Sequence, residues 1–200
     1  MNYPHAVTVR FWEHIEPLDR GTRYEDPLQS ALERATAGEL TGAGSQLNAL
    51  GGIAFAEIEL ALADLEASVQ LTKTVLEEAS APQGSEIRMN GDVLLEFGTL
   101  QCLAIYLDGV SLPDQVYAEL DFEDVIKQIE STLNLPEASY RGAWTGPEET
   151  GLYFFGPDAE EMFARAESLL RQLPITQNAR VVIRHGKDAL QPRTARLPRH

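Results

Sequence analysis

Two carboxylates stand two residues apart in AFAEIELAL, at Glu57 and Glu59. In a strand both would project from one face, because side chains alternate along a pleated chain. The opposite face would then carry Ala56, Ile58, Leu60 and Leu62, an apolar set expected to pack on helices. Paired carboxylates can hold a metal or exchange protons with a substrate, so Glu57 and Glu59 form a candidate ligand site on an open sheet face. No Asp or His lies near them in sequence to complete a metal shell. The histidines His5, His14, His185 and His200 are scattered, without the H-x-x-x-H spacing of a zinc site. Cys102 sits in the apolar run LQCLAIYL, which predicts a buried, inert thiol. With no G-x-S-x-G elbow either, the sequence assigns no catalytic residue, no metal and no cofactor.

The glycine-rich stretch GELTGAGSQLNALGG, residues 38–52, raises the question of a phosphate cradle. A Walker loop needs a lysine after its glycines and a helix beyond them, and a dinucleotide fingerprint needs a third glycine opening a helix. Neither pattern is met, and a strand signal follows. The stretch reads as a hairpin with bulges.

A second group of residues points to recognition rather than catalysis. Glu119, Asp121, Glu123 and Asp124 surround the start of a helical segment in AELDFED, where acids also complement the helix dipole. Glu148 and Glu149 follow Pro147 in a hairpin loop, and Asp158, Glu160 and Glu161 open the next helix. Tyr140 and Trp144 belong to the same hairpin and are residue types that anchor interfaces. Together these eleven side chains form a candidate docking surface for a basic protein.

The elements that must position these residues alternate between period 2 and period 3.6. AVTVRFWEH (6–14) reads as a strand and RYEDPLQSALERAT (23–36) as a helix, with Asp26 as its cap and Pro27 at its first position. Two strands, ELTGAGSQL and IAFAEIELAL, precede the helix DLEASVQLTKTVLEEA and the strand SEIRM. The second half repeats the order with LQCLAIYLDG, FEDVIKQIESTL, YRGAWTG, TGLYFFG, DAEEMFARAESLLRQL and ARVVIRHG. Each half is β-α-β-β-α-β, so the expected fold is α+β: two tandem ferredoxin-like units whose antiparallel sheets carry helices on one face. A gapless register sets residues 64–89 against 158–183, matching Asp64 with Asp158, Leu76 with Leu170 and Ile87 with Val181; Leu40-Thr41-Gly42 is set against Trp144-Thr145-Gly146. The expected units span 1–92 and 93–185, with a basic, flexible tail over 186–200.

Charge narrows the partners. The chain carries a formal charge of −15, and residues 184–200 hold five Lys or Arg against one Asp, so the rest is more acidic still. Such a body repels nucleic acid and anionic membranes and attracts basic proteins. No apolar run reaches the roughly 20 residues that span a bilayer, and the N-terminal segment shows no signal-peptide pattern. A cytoplasmic location is expected.

The phrases GELTGAGSQL…EIEL…APQGS and LAIYLDGVSLPDQVY…YRGAWTGPEETGLYFFG resemble a group of uncharacterised bacterial proteins with duplicated ferredoxin-like units. In size, acidity and lack of a catalytic motif the chain is also similar to bacterial toxin-immunity proteins. That likeness implies a non-enzymatic module that neutralises a basic cognate toxin by occlusion. The alternative expectation is an enzyme or small-molecule binder using the sheet face around Glu57 and Glu59.

Overall fold

The computed structural model describes residues 3–184 and 192–198, so His185 and His200, with residues 186–191 and Arg199 of the basic tail, lie outside the described residues. The fold is α+β, with two tandem ferredoxin-like units. In the first, β1 (His5–Phe11) leads through a continuous helical run to β2 (Gly38–Leu47) and β3 (Ile53–Leu62). Then come α3 (Leu65–Glu78), β4 (Ser85–Met89) and β5 (Asp92–Phe97). In the second, β6 (Gln101–Asp108) is followed by α4 (Asp114–Ala118), α5 (Phe122–Leu133), β7 (Ser139–Thr145) and β8 (Glu149–Gly156). The unit ends with α6 (Ala159–Leu170), a short 3-10 turn, β9 (Arg180–Arg184) and β10 (Arg193–Arg196). The sheets are ordered β2-β3-β1-β4-β5 and β10-β9-β6-β8-β7. These are one topology written from opposite edges: the ferredoxin-like order with a fifth strand outside the last.

The duplication is visible in the register. Val9 pairs with Ile58 and Ile87 across three strands, and Ile105 pairs with Leu152 and Val181 in the matching row. All six are fully buried and face the helices, in the separate cores of the two units. Asp64 and Asp158 both cap their helices, accepting from Ala67 N and Glu161 N, and Leu76 and Leu170 are both buried beneath them. The correspondence set at Trp144-Thr145-Gly146 is four residues out. A bulge separates Leu40 from Gly42 in β2, and the same bulge separates Tyr140 from Gly142 in β7. Tyr140-Arg141-Gly142 is therefore the true counterpart; the shared Thr-Gly was coincidence.

Three further expectations change. The strand expected over 6–14 stops at Phe11, and helix starts at Pro17 (α1, Pro17–Arg20), passes through a π-helical turn (Gly21–Glu25) and continues as α2 (Asp26–Ala35). Asp26 is thus inside helix rather than capping one; its N–H reaches back five residues to Gly21 O, and this widened turn accommodates Pro27, which has no N–H to give. The chain divides between Thr99 and Leu100 instead of near residue 92, because NGDVLLEFG is not a linker. It turns at Asn90-Gly91, both at positive φ, and returns as β5 against β4. Finally, residues 193–196 of the supposed flexible tail form β10 on the edge of β9, with Leu197 buried in the second core.

Candidate functional site

Glu57 and Glu59 stand on the face of the first sheet away from its helices, with Ala56, Ile58, Leu60 and Leu62 in the core on the other side. Register then identifies their neighbours, since residues paired across antiparallel strands share a face. Glu59 is flanked by Gly42 and Thr8, with Arg88 beyond Thr8; Glu57 is flanked by Gly44 and Arg10, with Glu86 beyond Arg10. Arg10 donates from Nε and Nη2 to the same oxygen, Glu57 Oε1, at 2.8 and 2.7 Å. Its guanidinium lies 4.0 Å from the centre of the Phe55 ring and 5.6 Å from that of Trp12, which hold it flat on the sheet. Arg88 pairs with Glu86 and donates to Gly91 O.

The glycine stretch now has a structural role. Gly42 and Gly44 face the same side as the two glutamates, and a Cβ at Gly42 would come within 2.9 Å of Glu59 Oε2, whereas one at Gly44 would meet open space. The same face holds a trough of about 460 Å³, lined by Thr8, Arg10, Thr41, Glu57, Glu59 and Arg88 among others. Glycine at position 42 leaves room for the Glu59 carboxylate. The buried Arg20 braces the outer edge, donating from Nη1 to Gly44 O and Ser45 Oγ, and pairs with Glu25 through Nε. Residue spacing showed the glutamates but not Arg10, Thr8 or Arg88. The alternation of VTVRF was the available signal for the first two, as it places Thr8 and Arg10 opposite Val7, Val9 and Phe11.

The eleven acidic and aromatic residues of the second unit are not brought together. Gly109 N donates to Glu148 O, which puts the β7–β8 hairpin beside the C-terminal end of β6. The start of α5 follows from that same end. Ala159 N donates to Gln101 Oε1, so α6 begins at the opposite end, where Asp158, Glu160 and Glu161 lie. These last three are also engaged: Asp158 as a cap, Glu160 with Arg193, and Glu161 with Arg165. Tyr140 packs its ring on Phe154 in the helix-side core, with its hydroxyl pKa raised by burial and by Glu130. Trp144 packs on a separate cluster of the opposite sheet face that includes buried Cys102, Tyr106, Tyr153 and Phe155. Burial, followed by the neighbouring Tyr106, pushes the Tyr153 hydroxyl far above the ordinary phenol range. Glu149 is bound by Arg180 at 2.6 Å, and that guanidinium stacks 3.9 Å from the Tyr106 ring centre.

What remains at the C-terminal end of β6 is Glu119, Asp121, Glu123, Asp124 and Glu148, all exposed. Among the described residues Glu123 alone of these has a cation partner, Lys127; Glu119 and Asp124 accept from Gln115 and Gln128, and Asp121 caps α5. Asp108 adds a firmly held charge. Burial pushes its pKa up, but bonds from Ser111 Oγ, the Val110 and Ser111 amides and Asn178 outweigh this and bring it down to about 2. Two exposed apolar side chains that spacing did not single out lie close to these acids in sequence: Phe122, at 42% exposure, between Asp121 and Glu123, and Val110, at 61%, two residues after Asp108.

No three His, Cys, Asp or Glu side chains among the described residues are grouped to hold a metal, and no helix among them is long and apolar enough to cross a membrane. No family model and no curated protein matches the sequence. Among solved structures, a protein of unknown function from Galdieria sulphuraria matches at 13% identity, over 90% of this chain and 95% of its own, with a TM-score of 0.26. A candidate monooxygenase from Fusobacterium nucleatum matches at 11% identity, over 98% and 92%, with a TM-score of 0.25. Similarity this remote transfers no function, and the functional reading rests on the residues.

Proposed function

We propose that the chain is a protein-binding module that docks a basic partner against the acidic end of its second unit. The observation that carries this reading is Phe122, exposed between Asp121 and Glu123, together with Glu119, Asp121 and Asp124, which have no cation partner among the described residues. An apolar knob inside a charged rim is the composition of a docking site: burial of the knob supplies affinity, and the rim steers an oppositely charged surface into register. The partner is a cationic protein, and the likeness to immunity proteins makes a toxin whose basic active face is occluded the finer form of the proposal, in a bacterial cytoplasm. Tyr140 and Trp144 pack within their own unit, on Phe154 and on the cluster of Cys102, Tyr106, Tyr153 and Phe155.

The test is affinity capture from the native host, with cross-linking mass spectrometry on the recovered complex. Cross-links between lysines of a basic partner and residues 119–124, lost in the Asp121→Lys/Asp124→Lys variant, support the proposal. A partner that cross-links elsewhere and is indifferent to the charge reversal overturns it.

A further inference from the structure

We infer that the trough on the open face of the first sheet is a binding site for a small organic cation, an alkylammonium or alkylguanidinium, independent of the protein-docking end. The argument is a balance of charge and hydrogen-bonding capacity. Arg10 is matched by Glu57 and Arg88 by Glu86, which leaves Glu59 as the one lining carboxylate with no partner among the described residues. Both Arg10 donors converge on Glu57 Oε1, so Oε2 of Glu57 also keeps its accepting capacity. Glu57 and Glu59 alternate by two along β3, which spaces their backbones by roughly 7 Å on one face, and both line the trough.

The surroundings suit such a ligand. The trough, at about 460 Å³, falls within the range of small-molecule sites, and the hydroxyl-bearing Thr8 and Thr41 supply further polar lining. Arg10, pinned on Phe55 and Trp12, fixes the orientation of Glu57 in advance, so less ordering is required when the ligand enters. The same guanidinium disfavours a divalent ion, which would sit beside a fixed positive charge with only two carboxylates where a calcium site wants six to eight oxygens. Gly42 completes the design: its missing side chain is what leaves the Glu59 carboxylate room.

The experiment titrates the full-length protein with butylammonium, butylguanidinium, butyrate and calcium chloride, by calorimetry and by saturation-transfer NMR. Millimolar or tighter binding of the two cations, with no binding of butyrate or calcium, is expected. Glu59→Gln should weaken it at least tenfold without changing the melting temperature, because Glu59 is exposed. Gly42→Leu, which places a side chain against that carboxylate, provides a second variant and should also abolish binding. Absence of cation binding, equal binding of butyrate, preferential binding of calcium, or affinity unchanged in Glu59→Gln overturns the inference. Asp121→Lys/Asp124→Lys should leave cation binding intact, so this outcome and that of the docking test separate.

Discussion

At the scale of single residues, the structure spends its polar side chains on fixing loops. Asp108 receives four hydrogen bonds, and these hold the chain where β6 leaves the sheet toward α4. Its folded-state pKa of about 2 lies below the ordinary 3.8, so the interaction stabilises the fold above pH 4 and is lost as the pH falls toward 2. Solvent screens this site, so the effect is about 1 kcal/mol and not the larger value of a shielded group. Asp108→Asn should therefore lower stability by that amount at pH 7 and leave it unchanged at pH 2, as read by urea unfolding; an equal loss at both values would refute the assignment. Glu13 is the opposite case, a carboxylate buried behind β1 and met by Arg23 at 3.0 Å and by the Tyr24 hydroxyl at 2.6 Å. Its removal takes an acceptor from the buried Tyr24 hydroxyl and from Arg23, so Glu13→Ala should cost about 2 kcal/mol, measured by urea unfolding. None of this was legible beforehand, because a buried ion pair is made by tertiary proximity and leaves no period in the sequence.

At the scale of elements, legibility follows the strength of local signals. The helices α3, α5 and α6 announce themselves through an apolar stripe, and each is capped by an aspartate, Asp64, Asp121 and Asp158. Asp64→Ala and Asp158→Ala should each cost about 1 kcal/mol, measured by chemical denaturation. The strand β5 was legible in principle, as Asn-Gly between apolar segments is a strong hairpin signal, but DVLLEF lacks the alternation of a half-buried strand. The strand β10 was not legible at all: RTAR has no apolar pattern, and only the partner β9 makes it a strand. What secures it is Leu197, 4% exposed, whose N–H donates to Ala179 O. Leu197→Ala should destabilise the protein by about 2–3 kcal/mol by opening a cavity in the second core. A loss within a few tenths would show this segment to be the loose tail that its composition suggests. The candidate sites divide in the same way. Spacing along β3 revealed Glu57 and Glu59, whereas Arg10, Thr8 and Arg88 join them only through strand register, and the acids at the starts of α5 and α6, alike in composition, are held at opposite ends of the sheet.

At the scale of the whole molecule, duplication has preserved the core and released the surfaces. The row Ile58-Val9-Ile87 and its counterpart Leu152-Ile105-Val181 keep the same shape and burial, yet the outward faces of the two sheets differ in kind. In the first unit that face is a lattice of Thr8, Arg10, Glu57, Glu59, Glu86 and Arg88, which water can solvate; in the second it is aromatic and buried. The first unit consequently needs nothing beyond residues 1–99 to satisfy its core, which is drawn entirely from them. A fragment of that size is above the length at which a single core becomes insufficient, and the charged lattice gives it no apolar sheet face to hide. Residues 1–99 expressed alone should remain monomeric and unfold in one cooperative transition, with a calorimetric enthalpy of about 70 kcal/mol. They should also keep the cation affinity of the intact chain, since every residue lining the trough lies within them. A fragment that folds but binds no cation would show that the trough is not a self-sufficient site, and a fragment that fails to fold would show that the first core depends on the second.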